Sequence, residues 1–112
     1  MEIRDNNEIC VLTPLSPTMN KRETEKILTI LNKNDKRKIA LDLSYVHDCT
    51  IEFVEGIISL SGMKNIGIFN ISSDIFSLFN IMKVDKKIKL YTSELDWKED
   101  FHRLINRNFK LV

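Results

Sequence analysis

Apolar positions fall in short clusters whose period changes along the chain, and each change marks an element. Ile9-Cys10-Val11-Leu12 is a continuous apolar run closed by Pro14 and Pro17, whose fixed φ and missing N–H suit the exit of a strand. Asn20 stands three residues before Glu23, a capping-box spacing, and Ile27, Ile30 and Leu31 then recur at helical intervals up to the polar break at Asn32 to Asp35. Lys38-Ile39-Ala40-Leu41-Asp42-Leu43 is again short and mostly apolar, as expected of a strand covered on at least one face and lying centrally in a sheet. From Asp48 the pattern turns helical, with Ile51, Val54, Ile57 and Ile58 on one face, Asp48 or Cys49 as N-cap and Gly62 at the C-terminal end.

Ile66, Ile68, Phe69 and Ile71 then mark a further strand, and Ser72-Ser73-Asp74 supplies the cap of a helix with Ile75, Leu78, Phe79 and Met82 as its buried stripe. Ile88 to Thr92 is a last short strand. Ser93 with Asp96 resembles a cap pair, and Trp97, Phe101, Leu104 and Ile105 form the seam of a C-terminal helix. The order β-α-β-α-β-α-β-α favours an α/β layer with a small sheet of four or five strands, because parallel neighbours need crossovers and each crossover helix covers the sheet. One domain over residues 1–112 is expected, with Asn6-Asn7 and Asn106 to Asn108 as frayed ends.

Composition narrows the class. Only 3 Gly and 2 Pro occur in 112 residues, which excludes collagen-like, linker-like and turn-dense β architectures. Lys+Arg (17) and Asp+Glu (16) nearly cancel to a net +1, so no overall field gathers nucleic acid or anionic lipid. No run approaches the roughly 18 apolar residues of a membrane span, and the start, Met1 to Asn7, is polar where a signal peptide would turn apolar. A cytosolic protein is expected, without nucleic acid as partner and without membrane insertion. Cys10 and Cys49 lack any Cys-x-x-Cys or His spacing, so neither a metal site nor a redox dithiol is indicated, and no cofactor is implied.

The inventory of catalytic groups is short. His47 ends the loop after a strand, where a base could sit, and Cys49 at a helix N-terminus could have a lowered thiol pKa; the competing readings are an exposed loop histidine and an inert, partly buried thiol. Phosphate-binding glycine loops and the G-x-S-x-G elbow are absent. A response-regulator receiver needs acidic residues at the end of its first strand, where this chain has Thr13-Pro14. The Lys83 to Lys89 segment reads as a solvated loop interrupted by Asp85.

From Lys38 to Leu95 the elements form a recognisable series. There is an apolar strand with Asp42, a Tyr45-Val46-His47 turn, the helix start Asp48-Cys49-Thr50, a strand over 66–71, Ser72-Ser73, Leu78-Phe79 and Val84. This series resembles the STAS domain, named for sulphate transporters and anti-sigma factor antagonists. The resemblance implies a mixed, largely parallel sheet with about four helices mainly on one face, and a non-enzymatic regulatory module.

In the anti-sigma antagonist branch the exposed start of the second helix binds a serine/threonine kinase that also restrains a sigma factor. The kinase phosphorylates the serine after the loop aspartate. That acceptor position falls on Cys49, which such a kinase cannot modify, so the switch is disabled or moved to the neighbouring hydroxyl of Thr50 as the alternative phospho-acceptor. The resemblance thus implies a partner surface of His47, Asp48, Cys49, Thr50, Glu52, Phe53 and Glu55. Ile51, where a small residue is common, and Glu52, where apolar residues are usual, depart from the family pattern. The alternative is a STAS subunit of a membrane transporter, docking through the Ile75 to Met82 helix.

Overall fold

The computed structural model describes residues 1–36 and 38–99. In chain order the elements are β1 (Glu2–Asp5), β2 (Ile9–Thr13), β3 (Thr18–Met19), α1 (Lys21–Lys33), β4 (Lys38–Asp42), β5 (Asp48–Cys49), α2 (Ile51–Ser61), β6 (Ile66–Phe69), α3 (Ser73–Ile81), a 3-10 turn (Val84–Lys86), β7 (Lys89–Tyr91) and α4 (Glu94–Lys98). The main sheet has the order β1-β2-β4-β6-β7, with β1 antiparallel and the rest parallel, and β4 central as the sequence indicates. β3 and β5 form a separate two-residue parallel ladder.

Each crossover from β2 to β7 steps the chain the same way across the sheet. A right-handed crossover always lays its helix on one side, so α1, α2 and α3 share a face. Ile27 and Leu31 of α1, Phe53, Val54 and Ile57 of α2, and Ile75, Phe76 and Phe79 of α3 pack there on Cys10, Leu12, Ile39, Leu41, Ile66, Ile68 and Leu90. Phe76 thus joins the α3 stripe, while Leu78 and Met82 are only half-buried.

The opposite face, Val11, Ala40, Phe69 and Tyr91, is covered by Trp97 from α4. Trp97 lies against Gly67, where an added Cβ would meet the indole Cδ1 at 2.7 Å. Its ring centroid is 5.9 Å from that of Phe69. Lys38 Nζ donates to the Trp97 carbonyl at 2.7 Å and sits 5.2 Å from the ring centroid.

Three caps form as the sequence spacing predicts. The N–H groups of Glu23, Ile75 and Asp96 donate to Asn20, Ser72 and Ser93. The polar start is a correction. Residues 2–5 are an edge strand, and Asn6 is no frayed end, because its Oδ1 accepts from the N–H of Glu8 and of Ile9, both at 3.0 Å, to close a hairpin. All four β1 residues are exposed, so pairing with β2 specifies the strand and burial leaves no trace in the sequence. Phe101, Leu104 and Ile105 of the expected seam, His102 and residues 106–108 lie outside the described residues.

Arg4 reaches from β1 to α4 and donates twice to Glu94, at 2.9 and 2.5 Å. That bond lowers the Glu94 pKa, so the pair stabilises the fold above the ordinary glutamate value of 4.5 and the contribution fades as pH falls below it. The pair is partly solvent-screened, and about 0.5–1 kcal/mol is expected. Fluorescence of Trp97, the single tryptophan, should report a loosening of α4 below that pH, and Arg4→Ala should shrink the step to the part that Lys98, 3.0 Å from Glu94, still supports.

Candidate functional site

The loops after β2 and β4 meet at the C-terminal ends of the parallel strands, the edge where open α/β sheets commonly place their binding groups. The backbone joins them. The N–H groups of His47 and Asp48 donate to the Pro17 carbonyl at 2.8 and 3.2 Å, and Thr50 N–H donates to Met19 O at 3.3 Å. Thr18 is in register with Asp48 and Met19 with Cys49. Met19 and Val46 are fully buried on either side, so the segment between them is held as a fixed tip.

Asp42 braces the base of this tip. Its carboxylate accepts from Ser44 N–H at 3.0 Å, from the Ser44 hydroxyl, from Asn70 Nδ2 at 3.1 Å and from Thr13 Oγ1 at 3.4 Å. Asn70 has φ 56°, a left-handed conformation that Asn tolerates better than most residues. The aspartate is therefore engaged in tying three strand ends together.

The sequence-derived surface divides on inspection. His47, Asp48, Glu52 and Glu55 are exposed, and Cys49 and Thr50 are half-buried. Phe53 is 0% exposed and packs in the core, so it supports the tip from below and offers no contact surface. Ile51, expected on the buried face, is 55% exposed. The N-cap also moves: Thr50, rather than Asp48 or Cys49, caps α2, with its Oγ1 accepting from Phe53 N–H at 3.3 Å. Residues 48–49 run as a strand against 18–19, so the helix begins only at Ile51, which lies exposed in its first turn, while Phe53 joins Val54 and Ile57 in the core.

The thiol is not activated. Cys49 precedes the cap, outside the first turn, and burial, with a smaller contribution from Asp48, pushes its pKa up to about 11. Cys10 is fully buried, and neither cysteine is in a disulfide. Among the described residues no cluster of His, Cys, Asp or Glu could hold a metal ion.

Two residues that periodicity does not mark belong to the same end. Leu15 and Tyr45, 53% and 55% exposed, stand on the two joined loops. Nothing in a loop's pattern separates such positions from ordinary turn residues. Behind the tip, Lys21, Thr24, Glu25, Leu28 and Glu52 line a cleft of about 400 Å³ between α1 and α2.

Comparisons with known proteins agree with this architecture. No protein-family model matches the sequence, and no curated protein does. Among solved structures, the chain is similar to a Thermotoga maritima protein assigned as an anti-sigma factor antagonist, at TM-score 0.75 and 16% identity, over 91% of this chain and 94% of that one. It is also similar to the murine anion transporter Solute Carrier 26 family member A9, at TM-score 0.63 and 16% identity. The match covers 84% of this chain but 18% of the transporter, whose cytoplasmic part is a STAS domain. The fold is therefore STAS-like, a small mixed α/β sheet with four helices among the described residues. No helix among the described residues is long and apolar enough to cross a membrane.

Proposed function

We propose that this protein is a non-enzymatic regulatory module that binds a protein partner through its 47–55 tip, in the manner of an anti-sigma factor antagonist. The partner on this reading is a kinase or anti-sigma-type regulator. The observation that carries the proposal is the tip itself: exposed side chains on a backbone clamped to Pro17 and Met19. A preformed surface loses little entropy on docking, which favours recognition by occupancy. The likeness to the anti-sigma factor antagonist supports the same reading.

The usual phosphorylation switch has no acceptor at Cys49, and the Thr50 hydroxyl is engaged as the cap of α2. With the Thr50 hydroxyl unmodified the tip works as a constitutive binder, and phosphate found on Thr50 by mass spectrometry after incubation with the partner kinase would restore the switch. Asp48, Glu52 and Glu55 are exposed carboxylates on the same segment as exposed Ile51, with Tyr45 on the loop before it, so the partner presents basic groups beside an apolar socket. Glu52→Lys should leave the fold intact and weaken partner capture by about tenfold or more, as expected for a reversed charge in an interface. Equal capture by wild type and variant in a quantitative pull-down would place the interface elsewhere. The second reading, a transporter subunit docking through α3, is favoured by the likeness to the anion transporter and by Ile81, 77% exposed. Ile81→Asp separates the two, since it should abolish that docking and leave capture through the 47–55 tip unchanged.

A further inference from the structure

A net charge of +1 conceals a partial separation of charge between the two ends of the sheet. The strand C-termini and helix starts carry Glu23, Asp42, Asp48, Glu52 and Asp74, offset in part by Lys21 and Arg22 in the first turn of α1, while Glu94 there is paired with Arg4. At the other edge, where α1, α2 and α3 end and the parallel strands begin, lysines collect. Lys83, Lys86, Lys87 and Lys89 are all exposed, while Val84 and Ile88 between them are buried and fix the loop with its lysines outward. Lys33 is exposed at the end of α1, and Lys64 after α2 donates to the Asn34 carbonyl. Glu8, Asp35 and Asp85 offset part of this charge, and Lys36 is paired with Asp5 at 3.5 Å. A second feature coincides. The two most exposed large hydrophobic side chains among the described residues, Ile81 at 77% and Met63 at 73%, both stand at this edge, at the C-terminal ends of α3 and α2.

We infer that this basic edge is a peripheral docking surface for an anionic phospholipid bilayer, the lysines meeting lipid phosphates while Ile81 and Met63 enter the headgroup layer. Lysines alone would suit any polyanion; protruding aliphatic side chains among them match an interface that is anionic outside and apolar just beneath. The surface lies opposite the 47–55 tip, so the two could be occupied together, and it is independent of the function proposed for the tip. Each lysine near such a surface strengthens adsorption by about fivefold, so reversing three should weaken it by about a hundredfold or more.

The test is cosedimentation of the full chain with phosphatidylcholine vesicles, with and without about a third phosphatidylglycerol, a charge density that gives a strongly negative surface. Binding to the anionic vesicles alone, weakened by added salt, is expected. Lys83→Glu/Lys86→Glu/Lys87→Glu should abolish it, Ile81→Ser should weaken it several-fold, and Glu52→Lys at the other end should not weaken it. Circular dichroism of each variant guards against misfolding. Equal binding to both vesicle types, or none to either, overturns the inference. So does Ile81→Ser binding as well as wild type, which with capture by polyglutamate would make the edge a docking surface for acidic protein.

Discussion

Trp97→Ala is expected to cost about 3–5 kcal/mol, the range for deleting a buried aromatic side chain, and to expose the second face of the sheet. Trp97 is 1% exposed and caps Val11, Ala40, Phe69 and Tyr91, a face that the one-directional winding of the crossovers leaves without α1, α2 or α3. Thermal unfolding should fall by about 15 °C or more, given several degrees per kcal/mol for a domain of this size. The reciprocal change sharpens the claim. In Gly67→Val the new side chain collides with the indole at Cδ1 and Nε1 and with Tyr91 Cε2, which an added Cβ meets at 2.7, 2.9 and 3.1 Å. That variant should be destabilised mainly through Trp97, so in the Trp97→Ala background much of its cost should vanish. Denaturant titration of the double-mutant cycle measures the coupling, and strict additivity would show that Trp97 does not depend on the missing Cβ.

The sequence spoke clearly wherever burial and local capping acted together. The strands at Ile9–Thr13, Lys38–Asp42 and Ile66–Phe69, and the caps at Asn20, Ser72 and Ser93, each have side chains that must be inside or must accept a first-turn N–H. It was silent where structure depends on backbone pairing between distant segments. β1 is wholly exposed, and the β3–β5 ladder joins residues thirty apart through main-chain groups alone. The site inherits that blind spot. Helical spacing places Ile51 inward and the family resemblance offers Phe53 to a partner, whereas the helix starts at Ile51 after the β3–β5 ladder, leaving Ile51 exposed and Phe53 in the core. Charge shows the same limit, because a balanced total says nothing of how lysines and carboxylates sort to opposite ends of parallel elements.

That reversal makes Phe53→Ala the decisive test of the tip. If Phe53 were a docking side chain, its truncation would weaken partner binding and leave stability almost unchanged. The structure requires the opposite: Phe53 is 0% exposed, packs with Val54 and Ile57 in the core under the helices, and its N–H is the donor that Thr50 caps. A cost of about 3–5 kcal/mol is expected from the lost burial and the cavity left behind, read as a lowered denaturant midpoint. Ile51→Ala, two residues away and 55% exposed, should change stability by about 0.5 kcal/mol or less, the usual span for surface positions. Titration of partner against the folded fraction at low temperature should then show near-wild-type affinity for Phe53→Ala and reduced affinity for Ile51→Ala. The inverse pattern would mean that α2 presents its other face, and the exposed carboxylates of Asp48, Glu52 and Glu55 would no longer belong to the docking surface.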